Sequence, residues 1–244
     1  GVYTVSYSVK DSAGHETTAQ RTVMVFSKLP DSSRPEGPET PTVYLTFDDG
    51  PCAYTAGLLD ILKEYHVNAT FFVTAQFPGY LDMIGRAHKE WHAIAVHTLT
   101  HDFSIYSSTA SYFEDLYAMQ EIIKEQTGSY TDLIRFPGGS SNTVSARYCP
   151  GIMTTLTQMV QARGYQYFDW NVGSNDTGTN DSEEIYQNVI SGIQGKKNAV
   201  VLMHDIKPAS IASVEKIIQY CRANGYRFDT LCASSAAVHH PVQN

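Results

Sequence analysis

From Thr42 onward, short apolar runs of β type alternate with longer stretches whose apolar residues recur every three or four positions, and no other feature limits the fold as strongly. The periodicity predicts strands at 43–47, 69–73, 93–97, 133–136, 165–170, 199–203 and 226–230. Helices are predicted near 55–65, 80–91, 109–127, 151–163, 182–194 and 208–224. Such a succession of βα units implies an α/β protein with a parallel sheet, either closed as a barrel or doubly wound. A chain of 244 residues can bury a substantial core.

The region before Thr42 has a different character. Residues 2–9 and 19–26 alternate β-branched or aromatic side chains with small polar ones around a turn-rich 10–14, which predicts a hairpin. A lone hairpin is marginal in water, so this one is expected to complete a β-sandwich or to rest against the larger α/β region. Residues 27–41, SKLPDSSRPEGPETP, carry four prolines and no hydrophobic period, the composition of a stiff exposed linker. The expected organisation is therefore a hairpin at 1–26, a linker at 27–41 and a main domain at 42–244.

Composition removes several function classes. An apolar content of 42% is too high for a disordered chain. With 17 basic against 25 acidic residues the net charge is −8, the wrong sign for a nucleic-acid surface and unfavourable for anionic lipid. No apolar run approaches the ~20 residues of a spanning helix. The chain starts inside a strand-like pattern with neither Met nor a charged-then-apolar leader, so it is expected to be a mature or recombinant fragment whose targeting signal has been removed. Cys52, Cys149, Cys221 and Cys232 fit neither a CxxC zinc knuckle nor a dense disulfide scaffold, and buried or free thiols are expected.

Polar residues gather where the predicted strands end, and in a parallel barrel those ends share one face. Thr46-Phe47-Asp48-Asp49-Gly50-Pro51 sets two carboxylates at the end of the first strand. Because successive strand side chains point to opposite faces, the two acids should have different roles unless the backbone bends. One could bind a metal while the other takes a proton; by itself the motif also reads as a solvated turn. His97-Thr98-Leu99-Thr100-His101 spaces two imidazoles four apart, on one face if the segment is helical, as zinc ligands often are. Two His and one Asp would leave positions on zinc open for water and substrate. Arg135 ends the fourth strand before Pro137-Gly138-Gly139, where it could hold a carboxylate in a bidentate grip. His204 ends the buried run Val201-Leu202-Met203 and reads as a proton donor or a core-edge structural His.

In order, TFDDGP, HTLTH, RFPGG, DWNVGSND and VLMHD resemble the five motifs of the polysaccharide deacetylases, carbohydrate esterase family 4, over about 43–231. The resemblance implies a distorted (β/α) barrel of seven or eight strands. It implies Asp48 as general base, oriented by Arg135, and Asp49, His97 and His101 as ligands of Zn2+, with Co2+ or Ni2+ sometimes accepted. His204 would be the general acid, Leu202 would line the pocket for the acetyl methyl, and the Gly138 N–H would be an oxyanion donor. Asp176 best matches the acid that orients and charges the catalytic His, Asp169 being the alternative, and Trp170 matches the aromatic at that site. Two positions depart from the pattern: Gly138 stands where an aromatic is frequent, which would open the cleft on that side, and Gly173 where an acid is frequent. Cys52 is expected to be an ordinary buried thiol near the site. The N-terminal hairpin resembles the last strands of bacterial immunoglobulin-like modules.

The implied activity is metal-dependent removal of N-acetyl groups from N-acetylglucosamine units of a polysaccharide. Peptidoglycan is expected first and chitin-type oligomers next, because the immunoglobulin-like fragment suggests an exported bacterial protein, extracellular or attached to the wall. The competing readings are an O-acetyl esterase acting on acetylated xylan and a glycan-binding module without activity. The expected partner is the acetylated polysaccharide alone, and a monomer is expected.

Overall fold

The structure is a computed structural model that describes residues 2–24 and 40–243. The chain divides into two compact units, Gly1–Pro35 and Glu36–Asn244.

In the first unit β1 (Val2–Lys10) pairs antiparallel with β2 (Glu16–Met24), from Val2 opposite Met24 to Lys10 opposite Glu16. Asp11 closes the turn by accepting hydrogen bonds from the Ala13 and His15 N–H groups, and Gly14 supplies the positive φ of 88° that a tight reversal needs. Val5, Tyr7 and Val9 are alternate residues of β1, hence one face of the ribbon, and all three are exposed. Residues 25–39, which hold the end of the expected second strand and most of the expected linker, lie outside the described residues.

The second unit runs β3 (Thr42–Asp48), α1 (Thr55–Glu64), β4 (Thr70–Val73), α2 (Asp82–Lys89), β5 (Ala93–Val96), α3 (Thr109–Thr127), β6 (Leu133–Ile134) and α4 (Ile152–Ala162). It continues with β7 (Gln166–Tyr167), β8 (Val172–Gly173), α5 (Ser182–Ile193), β9 (Asn198–His204), α6 (Pro208–Ala223) and β10 (Arg227–Phe228). Every pairing in this sheet is parallel, in the order β7-β6-β5-β4-β3-β9-β8, with β10 beside the start of β3. The two ends of that order are β7 and β8, so the curled sheet is a (β/α) barrel left open between them. Helices start and stop where local chemistry dictates: the Ser108 hydroxyl accepts from the Ser111 N–H to begin α3, and Gly128, at φ 85°, ends it.

Strand periodicity explains where the site forms. Tyr44, Phe72, Ala95, Leu133, Phe168 and Val200 make one buried apolar cluster. Two residues further along their strands come Thr46, Thr74, His97, Arg135 and Leu202, and two further still Asp48 and His204. With a period of two these share the face of the cluster, so the barrel interior is apolar at its floor and polar at its carboxyl-end rim. β3 and β9, paired residue for residue from Thr42 and Asn198 to Asp48 and His204, form the spine that carries two of these polar residues to the rim side by side.

Two features differ from the sequence-based expectation. β8 lies in a stretch expected to be loop, and β6 and β7 are shorter than their apolar runs. In β8 only Val172 is buried, and a run of two paired residues leaves no periodic signal to detect. Among the described residues no helix is long and apolar enough to cross a membrane, and the four cysteines are free thiols.

Candidate active site

β3 ends at Asp48, whose side chain points inward by alternation; Asp49 would then point outward. Instead Asp49 takes φ 78°, a left-handed conformation that Asp tolerates better than most residues, and the bend returns its carboxylate to the rim. There Asp49 Oδ1 lies 3.4 Å from His97 Nε2 and 3.3 Å from His101 Nε2. The two histidines are not on a helix. His97 directly follows β5 and His101 closes an irregular loop at φ 55°, so the shared direction of the imidazoles comes from a turn rather than a helical face. Asp115 of α3 fixes that loop, accepting from the Thr98 hydroxyl at 2.6 Å, the Leu99 N–H at 2.8 Å and the Thr100 hydroxyl at 3.3 Å. Asp115 has no sequence signature, because an acid on a mid-helix face looks like any solvated one.

Asp49, His97 and His101 are a donor set for a divalent cation. Their ligand atoms lie within 4.8 Å of one another, and buried Asp49 Oδ1 has no hydrogen-bond partner. A buried carboxylate oxygen without a partner is costly unless a cation satisfies it. His97 Nδ1 is 2.8 Å from the Arg135 carbonyl, which can only accept, so Nδ1 carries the proton and the Nε2 lone pair faces Asp49. Burial works against the Asp49 carboxylate, yet the surrounding imidazoles of His97, His204 and His101 hold it down to about 2.

Asp48 has different partners. Arg135 is fully buried and spends its guanidinium on four acceptors: Asp48 Oδ1 at 2.7 Å, the Thr46 hydroxyl at 2.8 Å and the carbonyls of Phe168 and Asp169 at 2.9 and 3.0 Å. Its plane also packs on the Phe72 ring, 4.0 Å from the centroid. The two adjacent carboxylates are thus divided, one facing the imidazoles and the other paired with a fixed cation.

His204 ends β9 next to Asp48, with Nε2 4.0 Å from Asp49 Oδ2. Buried Asp176 holds it twice: Oδ1 lies 2.8 Å from Nδ1, and Oδ2 accepts the His204 main-chain N–H at 2.7 Å and the Ser210 hydroxyl at 2.5 Å. Burial would lower the imidazole, but the hydrogen bond and charge of Asp176 outweigh it and push His204 up to about 9, so it is charged at neutral pH. Asp169 is engaged elsewhere, accepting from the Ser140 N–H and hydroxyl and from the His240 N–H, which ties the loop after β6 to the C-terminal segment.

The remaining predicted residues surround this centre. Leu202 is half-buried and lies two residues before His204 on the same face. Gly138 sits at φ 74°, and a Cβ there would meet Asn142 at 3.0 Å and the Phe103 ring at 3.3 Å. Phe103 in turn lies edge-on to His101, 5.7 Å between centroids. The side of the cleft expected to be open at Gly138 is therefore lined by Phe103 from another loop. Trp170 is half-buried against the apolar cluster, and a Cβ on Gly139 would fall 3.0 Å from its ring. With φ 77° adding strain, Gly139→Ala is expected to lower stability by ~1–2 kcal/mol, measured by urea unfolding. Gly173 pairs with Leu202 and brings no side chain to the site. Cys52 is buried, its thiol 3.4 Å from the Asp205 carbonyl.

Comparison with known proteins agrees with this geometry. The family model described as polysaccharide deacetylase matches residues 36–149. A peptidoglycan-N-acetylglucosamine deacetylase of Bacillus cereus is 34% identical over 217 residues, covering 86% of this chain and 75% of its own. Among solved structures, the catalytic domain of a peptidoglycan N-acetylglucosamine deacetylase from Eubacterium rectale is 52% identical with a TM-score of 0.83, over 85% of this chain and 96% of that one. A polysaccharide deacetylase from Bacillus cereus is 33% identical with a TM-score of 0.71, over 83% of this chain and 96% of that one. Likeness that runs through three quarters of a relative's own length reaches well past the site motifs, and the chain belongs to the polysaccharide deacetylase family.

Proposed function

We propose that this protein removes N-acetyl groups from N-acetylglucosamine units of peptidoglycan with a divalent metal, zinc first, held by Asp49, His97 and His101. One observation carries the reading: an unpartnered buried carboxylate oxygen faces two imidazole nitrogens, between an Arg-paired acid and a charged histidine. The family's reaction and the names of the relatives support the substrate class.

The metal, when bound, supplies Lewis-acid polarisation of the acetyl carbonyl and a water acidified toward pH ~7. Asp48 is the base for that water. The Arg135 guanidinium pairs with its Oδ1 at 2.7 Å, which leaves Oδ2 as the oxygen proposed to take the proton. The water oxygen adds to the carbonyl carbon, and the Gly138 N–H is the proposed donor to the oxygen that becomes negative. His204 gives the Nε2 proton to the departing nitrogen as the C–N bond breaks, leaving acetate and a free amino sugar. Asp176 holds Nδ1, so Nε2 is the atom left for this transfer. Leu202 and Trp170 are the proposed apolar contacts for the acetyl methyl and the sugar. The hairpin is proposed as the last strands of an immunoglobulin-like module of an exported bacterial protein that works at the cell wall.

Acetate release from peptidoglycan, chitooligosaccharides and acetylated xylan, measured side by side on zinc-loaded protein, tests the reading. Release from peptidoglycan at least tenfold faster than from the xylan is the expected order, because a preference of that size needs only ~1.4 kcal/mol of differential transition-state binding. Acetate from xylan alone makes the protein an esterase. A protein that binds zinc and glycan but releases no acetate is a binding module.

A further inference from the structure

The turn that bends Asp49 into the site is held from two sides. On one side the Thr74 hydroxyl donates to the Asp49 carbonyl and the Thr74 N–H to the Gly50 carbonyl, each at 2.7 Å. On the other lies Asp205, the residue after His204, a fully enclosed carboxyl that has no part in the chemistry above. Its Oδ2 accepts the Thr55 hydroxyl at 2.6 Å, and the Thr55 oxygen accepts the Cys52 N–H at 2.8 Å, so carboxyl, first turn of α1 and the Gly50-Pro51-Cys52 turn form one chain of contacts. The Cys52 thiol donates back to the Asp205 carbonyl.

The carboxyl also lies flat against Gly50. A Cβ there would fall 2.0 Å from Oδ2, 2.2 Å from Oδ1 and 2.4 Å from Cγ. Only glycine fits beneath Asp205, and Gly50 is the neighbour of Asp49. The glycine of the TFDDGP motif and the acid of VLMHD, more than 150 residues apart, thus explain each other. Burying a carboxyl with Oδ1 unpartnered is unfavourable, and apolar packing would have filled the same space more cheaply.

We infer that Asp205 is a positioning residue for the metal centre: by clamping Gly50 and Thr55 it fixes the left-handed turn from which Asp49 reaches the ion. The inference rests on the reading of Asp49 as a ligand. Metal affinity then depends on a carboxyl that never touches the metal, as it does on the outer partners of ligands elsewhere.

Zinc affinity, measured by competition with a chelating dye, tests it apart from turnover. Asp205→Ala is expected to fold and to bind zinc ~10–100-fold more weakly, the usual cost of losing such a partner. Asp205→Asn keeps the shape and an acceptor for Thr55, so it is expected to restore affinity to within about threefold of the parent protein. Parent-like affinity in Asp205→Ala overturns the proposal, and so does an Asn variant as weak as the Ala one. Should Asp205→Ala not fold, Thr55→Val cuts the same clamp and is expected to weaken zinc binding ~3–10-fold; no change there overturns the proposal equally. A parent protein that takes up no zinc defeats the ligand reading, and this proposal with it.

Discussion

Replacing Asp48 with Asn is expected to lower kcat by ~10²–10⁴ while the metal stays bound, whereas His101→Ala is expected to lose the metal itself. The two acids are adjacent in sequence, and only their surroundings separate their roles. Asp48 is bonded to Arg135, while Asp49 Oδ1 faces the imidazoles. Asn at 48 keeps an oxygen for Arg135, and the guanidinium keeps Thr46 and two carbonyls, so the barrel should stay folded with some loss of stability. What disappears is the basic oxygen. His101 offers one nitrogen to the proposed ligand set and little else: it is partly exposed, and its loop is anchored independently by Asp115. Metal content by elemental analysis and acetate release on the same samples separate the outcomes. A strong chelator should silence the parent protein and added zinc should restore it. Equal metal loss in Asp48→Asn and His101→Ala would contradict the division of labour, and activity indifferent to chelation would remove the metal from the reaction.

Much of this was legible in the sequence because strand periodicity and site placement share one cause. The residues that line the barrel interior alternate along each strand, so the apolar runs that predict the strands also locate Asp48, Arg135 and His204 at their ends. What was not legible depends on backbone that leaves the regular period. Alternation alone sends Asp49 to the outer face, and only its φ of 78° brings it back. Spacing alone allows a helix for His97 and His101, and only a left-handed residue at the end of a loop makes them converge. Asp115 and Asp205 act on residues distant in sequence: nothing local marks Asp115, and Asp205 stands in VLMHD with nothing beside it to show that it holds Gly50 and Thr55. The choice between Asp176 and Asp169 has the same limit. Asp169 closes the fifth apolar run and Asp176 follows it, and only the fold shows that Ser140 and His240 occupy the first while His204 occupies the second.

That choice has the second large consequence. His204 must be protonated before it can serve a leaving amine, and its position near 9 depends on the Asp176 carboxylate overcoming burial. A cationic acid is present below its pKa and lost above it, so activity should fall on the alkaline side as His204 deprotonates. A dication seated beside Asp49 repels the imidazolium and brings that fall below 9 in the metal-loaded protein. Asp176→Asn removes the anion but keeps the shape, and the alkaline limb of kcat is expected to move down by about one to three pH units, the usual reach of a charge in contact. Its deficit against the parent protein should therefore be small at acidic pH and grow as pH rises, toward the ~10²–10⁴ expected for His204→Ala. Zinc affinity should be unchanged, because among the described residues the Asp176 carboxylate bonds His204 and Ser210, and neither belongs to the proposed ligand set. If the limb stays where it was and kcat falls by the same factor at every pH, Asp176 supports the fold of β9 rather than the charge of His204, and the acid must be sought elsewhere on the rim.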